Sequence, residues 1–433
     1  MTAAAALADR TRRLGSRVTK AGDILRADGP RALAQRVVRA AYTRLDAASL
    51  SEPLLDRDIA DSTRLALPLP TVKPAGSRRL RIGWVTLPPA AGSGGHTTLF
   101  RMVEALEQAG HECVLFLYDR YGGDVSGHER VLRQWWPNLR AEVRDVSNGV
   151  TGVDACIASS WDSAHVLAVQ GTEPMRRLYF IQDYEPFFYA RGSMYALAED
   201  SYRFGFRCIA LGEMVGRLLQ QEIGIEPDVT EFGCDTSVYR LLGDRPRSGV
   251  VLYARPQIPR RGYWLARLAL ERFHEFHPGV EIHIYGERVT GLSFPATQHG
   301  RLAPTELNEL YNSTIAGLAM SFTNISLVAE EMLAAGTIPV VNDSEHSRAD
   351  LANDHVLWAA PTPQGIASAL SAAVTKPAVA ETARSAAGSV RQFGWTKAQA
   401  DVVRIVEDEV YGTDRGSDDN RGDLELVTAK DES

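Results

Sequence analysis

Cysteine is scarce in this chain of 433 residues. Its four cysteines, Cys113, Cys156, Cys208 and Cys234, lie 43, 52 and 26 residues apart, with no CxxC pair and no Cys/His cluster. Neither a structural zinc nor a disulfide framework is suggested, and a reducing cytoplasm is the simplest compartment. Long apolar runs are also missing: nothing approaches the roughly 20 residues that span a bilayer. The opening "MTAAAALADRTRR" places its apolar run before its arginines, the reverse of a secretory signal. No DxD-type motif stands at a strand end; the pair Asp418–Asp419 sits in an acidic stretch near the C-terminus. An excess of basic charge is absent too, with a net charge of −7, and nucleic acid is not an expected partner.

What is present is unevenly spread. Residues 1–45 carry ten Arg/Lys against three Asp, whereas residues 412–433 carry seven acids against three bases, with five Gly or Ser. The acidic stretch reads as a disordered tail. In the basic stretch, Leu14, Val18, Leu25 and Leu33, Val37, Val38, Ala41 approximate a helical stripe broken near Gly29–Pro30. Two readings stand: a peripheral membrane contact through residues 10–45 on anionic lipid, or an arm packed on protein. Residues 51–77 hold Pro53, Pro68, Pro70, Pro74 and Gly76 and read as a linker.

From Arg79 onward, apolar strands alternate with amphipathic helices. "RLRIGWVTL", "ECVLFLYD", "GVDACIASS" and "RRLYFIQ" are strands of a first series; "GVVLYAR", "VEIHIYGE", "IAGLAMSF" and "IPVVND" belong to a second. Such alternation implies parallel sheets with helical crossovers, so the fold class is α/β, with two Rossmann-like domains facing a cleft. The boundaries expected are a basic helical arm and linker at 1–77, a first domain at 78–243, a second at 244–391, a cross-over helix at 392–411 and the tail at 412–433.

Four constellations carry chemistry. In "FIQDYEPFFY", Asp183 and Glu185 stand two apart, about 7 Å on one face of an extended strand, near the separation used by glycoside hydrolases. "GSGGHTT" joins a strand to a helix, where Gly94, Gly95 and His96 would bring backbone amides to a phosphate or sugar. It is an imperfect dinucleotide fingerprint, with Thr97 at the third glycine, though Asp119 follows 25 residues after Gly94 as a ribose-binding acid would. "ARPQIPRRG" sets Arg255, Arg260 and Arg261 at the carboxyl end of a strand, suited to a leaving diphosphate. "SFTNISLVAEEMLAAG" leads a polar loop, Ser321–Ser326, into a helix whose first turn offers free amides, with Glu330 and Glu331 within reach of ribose hydroxyls. His96, Trp161, His165 and His346 are lone candidates.

At these residues the chain resembles GT-B glycosyltransferases of sequence family four. "LYARPQIPRRG", "IHIYGE", "HGRLAPTELNELYNST" and "SLVAEEMLAAGTIPVVND" follow that family's order, and "FGWTKAQADVV" is similar to its cross-over helix. More narrowly, "SGGHTTLFR", "YFIQDYEPFFYARGSMYALAEDSYRFGF" and "FGCDTSVY" resemble the rhamnosyltransferases of bacterial surface glycans. The resemblance runs from about Arg79 to Tyr411. It implies a retaining, metal-independent transfer with no cofactor beyond the nucleotide-sugar donor, dTDP-L-rhamnose in first place, to a surface polysaccharide or lipid-linked glycan. Arg255 and Arg260 or Arg261 would hold the diphosphate. Glu331, five before Gly336, would hold the ribose. Thr323, Asn324, Ser326 and Leu327 would line the donor site with Gly94, Gly95 and His96. Thr323 stands where the family has its first glutamate. With a phosphate as leaving group no general acid is needed, so Asp183, with Tyr184 and Glu185, is expected to grip acceptor or sugar rather than move protons. The expected location is cytoplasmic, with the membrane contact at its inner face. Competing readings are another GT-B hexosyltransferase or nucleotide-sugar epimerase, an NAD-dependent oxidoreductase using Gly92–Gly95 and Asp119, and a non-catalytic nucleotide-sugar-binding subunit.

Overall fold

The inner strand runs are mainly apolar because a parallel sheet covered by helices on both faces buries its central strands twice. In the computed structural model, which describes residues 37–38, 52–76, 78–325, 327–390 and 394–412, the strands build two sheets. The first contains β1 (Arg81–Thr86), β2 (Glu112–Leu117), β3 (Glu142–Asp145), β4 (Ala155–Ala158), β5 (Arg176–Ile181), β6 (Arg207–Leu211) and β7 (Asp228–Thr230). The second contains β8 (Val250–Ala254), β9 (Ile282–Gly286), β10 (Thr297–Gly300), β11 (Ala316–Leu318), β12 (Ile338–Asn342) and β13 (Leu357–Ala359). The chain divides into two units, residues 1–57 and 58–433, and both sheets belong to the second. Apart from Val37 and Val38, which are helical and exposed, the expected arm at 10–45 lies outside the described residues, as does the acidic tail beyond 412.

Strand order is β3-β2-β1-β4-β5-β6-β7 in the first sheet and β10-β9-β8-β11-β12-β13 in the second, and every pairing is parallel. In each, the order reverses beside the first strand: between β1 and β4, and between β8 and β11. Loops leaving two such strands diverge to opposite faces, and the crevice between them is where open α/β sheets take ligands. The fold therefore selects residues 87–93 and 159–160 in one domain, and 255–261 and 319–325 in the other.

Each sheet has its own core. Ile82, Trp84, Leu115 and Phe180 pack with Leu99 and Val103 of the helix Gly94–Gln108; Val250, Leu252, Ile284 and Val340 pack with Leu270, Phe273 and Leu333. Burying one such side chain stabilises by about 1.5–3 kcal/mol. All four cysteines are buried and unpaired with one another. The last described helix, Thr396–Tyr411, places Ala398, Val402, Ile405, Val406 and Val410 in the first core, and Arg207 donates to the Ile405 carbonyl at 3.1 Å.

Two chain passages between the sheets cross at glycine. A methyl at Gly233 would collide with the Gly394 carbonyl and stand 2.8 Å from the Trp395 Cα. Both obstacles are backbone, so neither can swing aside. Gly233→Ala is expected to destabilise the protein by about 1–3 kcal/mol in urea unfolding. Gly76→Ala, where an added Cβ meets nothing within 4 Å, is expected to be near neutral. Equal effects at the two positions would contradict this packing.

Candidate functional site

The second sheet's switch point is built from cations. Arg255 leaves β8, donates to the Tyr253 hydroxyl at 3.0 Å and pairs with Glu287, just past β9, at 3.1 Å. Pro259–Arg261 forms one 3-10 turn, stopped by Gly262 at φ 60°, a left-handed conformation that suits glycine. The ring of Phe322 lies against Gly262, where a Cβ would stand only 2.8 Å from it. That turn separates its two arginines. Arg261 donates to Ser321 Oγ at 3.2 Å, and burial with the neighbouring Arg260 and Arg255 charges pushes its guanidinium below the usual range. Arg260 instead crosses to the first domain, with its guanidinium 4.0 Å from the Phe188 ring centroid and its Nε 4.0 Å from Asp183 Oδ2. Three guanidiniums around two carboxylates leave an excess of positive charge at the cleft, the electrostatics an oxyanion needs.

Asp183 sits where the domains meet. Its Oδ2 accepts from the Thr323 hydroxyl at 2.7 Å and its Oδ1 from the Asn324 amide at 3.2 Å, while Asn324 Nδ2 donates to the Gln182 carbonyl at 2.6 Å. Thr323 is buried, and so is Asp183. Burial pushes the Asp183 carboxyl up, against the pull of Thr323, Arg260 and Arg261. The structure thus brings Asp183, Arg260, Arg261, Thr323 and Asn324 together. Ser326 lies outside the described residues. Leu327 opens the helix Leu327–Ala334 half-buried and packs against the first domain's core.

Across the cleft, the glycine stretch is already helix. Ser93 caps it, its Oγ accepting from the His96 amide at 3.4 Å, so Gly94, Gly95 and His96 form the first turn rather than a preceding loop. No atom would lie within 4 Å of a Cβ at Gly94, and Gln182 Nε2 donates to the Gly95 carbonyl at 3.2 Å. His96 turns inward. Its Nε2 donates to the Leu87 carbonyl at 3.4 Å, its Nδ1 lies 3.0 Å from Ser93 Oγ, and its ring packs near Phe100 and Trp136. A carbonyl can only accept, so Nε2 carries the proton, and burial pushes the ring's pKa down.

Glu331 is half-buried on the helix Leu327–Ala334, and burial pushes its carboxyl up to about 8, with Arg101 opposing. That opposing charge, Arg101, stands on the glycine helix. The same guanidinium pairs with Asp235 at 3.0 Å and lies 5.3 Å from the Trp395 ring centroid, tying that helix to both passages between the domains. Arg101, Asp235, Gln182 and Glu287 carry no signal in the sequence, because each acquires its meaning only through a tertiary contact. Among the described residues, no three His, Cys, Asp or Glu side chains gather as a metal cage.

Several expectations need correction. Strand β5 ends at Ile181 and Glu185–Phe188 is a 3-10 turn, so Asp183 and Glu185 do not share a strand face. Tyr184 is fully buried between Phe187 and Tyr202 and presents no surface to an acceptor. Glu185 also points inward, where its Oε2 accepts from the Trp161 amide at the start of the helix Trp161–Gln170 and from the Tyr179 hydroxyl. His165 is a core residue: Nδ1 accepts from the Ala60 amide and Nε2 donates to the Leu197 carbonyl. Trp161 donates from Nε1 to the Tyr189 hydroxyl, and His346 packs near Phe187. Asp119 spends its carboxylate on its own turn, accepting from the Tyr121 and Gly123 amides at 2.9 and 3.0 Å and meeting His128 at 3.0 Å. The ribose acid of the dinucleotide reading is therefore occupied.

Comparison with known proteins places this geometry. Residues 248–371 match the C-terminal domain of WsaF, and residues 149–213 match the WsaF N-terminal domain. The O-antigen biosynthesis protein RfbC of Myxococcus xanthus is 31% identical over 265 residues, 59% of this chain; the match spans only 20% of that protein's length. Among solved structures, a point mutant of S. aureus TarM, in complex with fondaparinux, alpha-GlcNAc-glycerol and UDP, superposes with a TM-score of 0.59 at 10% identity, over 76% of this chain and 100% of that one. Anabaena HepE in complex with UDP and glucose gives 0.57 at 13% identity, over 76% and 99%. The chain has the GT-B fold: two parallel-sheet Rossmann-like domains.

The inward Glu185 makes stability depend on pH. Burial and the nearby Asp162 carboxylate push its carboxyl up to about 8. Between its unfolded value near 4.5 and about 8 the folded state holds the extra proton, so rising pH across that window lowers stability. Glu185→Gln, which can still accept from Trp161 and Tyr179, should escape this loss. Relative to wild type it should gain up to a few kcal/mol between pH 5.5 and 8 in urea unfolding. Parallel pH profiles would show that Glu185 is ionised in the folded protein.

Proposed function

We propose that the chain is a retaining glycosyltransferase that takes a deoxysugar from a nucleoside diphosphate, L-rhamnose from dTDP-L-rhamnose, and transfers it to a cell-surface polysaccharide or lipid-linked glycan. The observation that carries this reading is the cationic switch point of the second sheet, Arg255, Arg260 and Arg261 beside Thr323 and Asn324, opposite the capped glycine turn of the first. The WsaF domain matches on both halves support the same class.

In this reading the diphosphate lies along the arginine turn and ahead of the helix Leu327–Ala334. The guanidiniums stabilise charge as the glycosidic bond to phosphate breaks, so the reaction needs no divalent cation or other cofactor. Glu331 holds the ribose. The leaving phosphate takes the acceptor's proton on the face where the new bond forms, which retains configuration without a general-base carboxylate. The acceptor enters from the first domain, past Gly94 and Gly95, and the reaction belongs at the inner face of the cell membrane. The occupied Asp119 weighs against the dinucleotide alternative.

Turnover with a panel of dTDP-, UDP- and GDP-sugars on a rhamnose-containing acceptor tests the reading. dTDP-L-rhamnose should be consumed with release of thymidine diphosphate and a product whose new glycosidic bond keeps the anomeric configuration of the donor. Conversion of donor to its epimer, or stabilisation by NAD alone, would contradict it. Arg260→Ala should lower kcat about 10²–10³-fold with little change in unfolding midpoint. Glu331→Ala should weaken nucleotide binding by about 1.5–3 kcal/mol.

A further inference from the structure

The crevice beside the arginine turn already contains an anion, and it comes from the protein. Asp183 extends from the first domain past the end of β5 and gives each carboxylate oxygen to the second: Oδ2 to the Thr323 hydroxyl, Oδ1 to the Asn324 amide. Those two donors lie on the loop after β11, at the topological switch point, just ahead of the helix Leu327–Ala334. Phosphate oxygens seek such groups: a hydroxyl and a backbone N–H aimed at the cleft, flanked by guanidinium. The flanking charge is present as well, with Arg260 Nε 4.0 Å from Asp183 Oδ2 and Arg261 held close by Ser321.

We propose that Asp183 is a placeholder for the donor's diphosphate: in the ligand-free protein it occupies the Thr323 and Asn324 donors beside Arg260, and the donor must displace it to bind. This rests on the nucleoside-diphosphate reading above. A carboxylate and a phosphate oxygen cannot accept the same Asn324 N–H in good geometry, and two anions within about 4 Å repel strongly at a buried site. A second bond crosses the same joint, from Asn324 Nδ2 to the Gln182 carbonyl, and it does not involve the Asp183 carboxylate. Arg260 loses its carboxylate partner but keeps the Phe188 ring beneath it, so the cation stays aimed at the cleft while its counter-ion changes from Asp183 to phosphate. Asp183 is thus a positioning residue. It keeps the two domains joined and the charge of the arginines partly offset until a polyanion of sufficient charge arrives, which disfavours weakly charged competitors.

Calorimetric titration with thymidine diphosphate and with thymidine separates this role from a strut or a sugar ligand. Asp183→Asn should bind thymidine diphosphate about tenfold more tightly than wild type, with thymidine affinity unchanged, and Asp183→Glu, which keeps the charge, should not gain. Unchanged or weaker diphosphate binding by a folded Asp183→Asn protein would overturn the placeholder and leave the nucleotide reading intact. Failure of every form to bind thymidine diphosphate would overturn both. If Asp183→Asn does not fold, a crystal structure of the wild-type protein with thymidine diphosphate decides. A phosphate oxygen on the Asn324 amide with Asp183 withdrawn is expected; Asp183 still bound to Thr323 and Asn324, with the diphosphate elsewhere, would overturn the proposal.

Discussion

The carboxylate of Asp183, shared between the Thr323 hydroxyl and the Asn324 amide under the Arg260 guanidinium, joins the halves of the molecule at the place where chemistry is expected. Much of the cleft's arrangement depends on it. Arg260 is turned toward the first domain by this charge and by the face of Phe188, while its neighbour Arg261 is turned the other way, toward Ser321. Without the carboxylate, the arginines of one short turn would face one another with little to offset their repulsion.

Topology brings these groups together. Each sheet reverses its strand order once, and each reversal opens a crevice at the carboxyl ends of its strands. In the second sheet that crevice collects the arginine turn and the Ser321–Asn324 loop; in the first it collects the Ser93-capped glycine turn and the start of the helix Trp161–Gln170. The passages between domains cross where Gly233 lies against the Gly394 backbone, with no room for a side chain at Gly233, and Arg101 ties them to the glycine helix. The domains are thus connected by closely crossing backbone at Gly233 and by the charge-assisted joint at Asp183.

The inner strands of both sheets are readable because they are unbroken apolar runs such as "VVLYA" and "IHIYG", and the cationic loop because it follows one of them directly; edge strands such as "EVRD" and "TQHG" are polar and carry no such signal. The start of the glycine helix is readable in principle from Ser93, three residues before His96, although the glycines themselves favour a loop reading. Asp119 also carries a local signal, since an acid followed by "RYGG" favours capping its own turn. Features made by tertiary contact are not readable. The partners of Asp183 lie 140 and 141 residues away, beyond any local pattern. The inward course of Glu185 follows from a 3-10 turn at Pro186, which the assumption of an extended strand hides.

Photo-crosslinking with an azido analogue of thymidine diphosphate, mapped by peptide mass spectrometry, tests most directly whether the second sheet's switch point holds the nucleotide. Label confined to peptides of residues 248–371, and competed away by unmodified thymidine diphosphate, is the predicted result. Label concentrated on the glycine turn at Gly94–His96, with residues 248–371 unlabelled, would contradict the account.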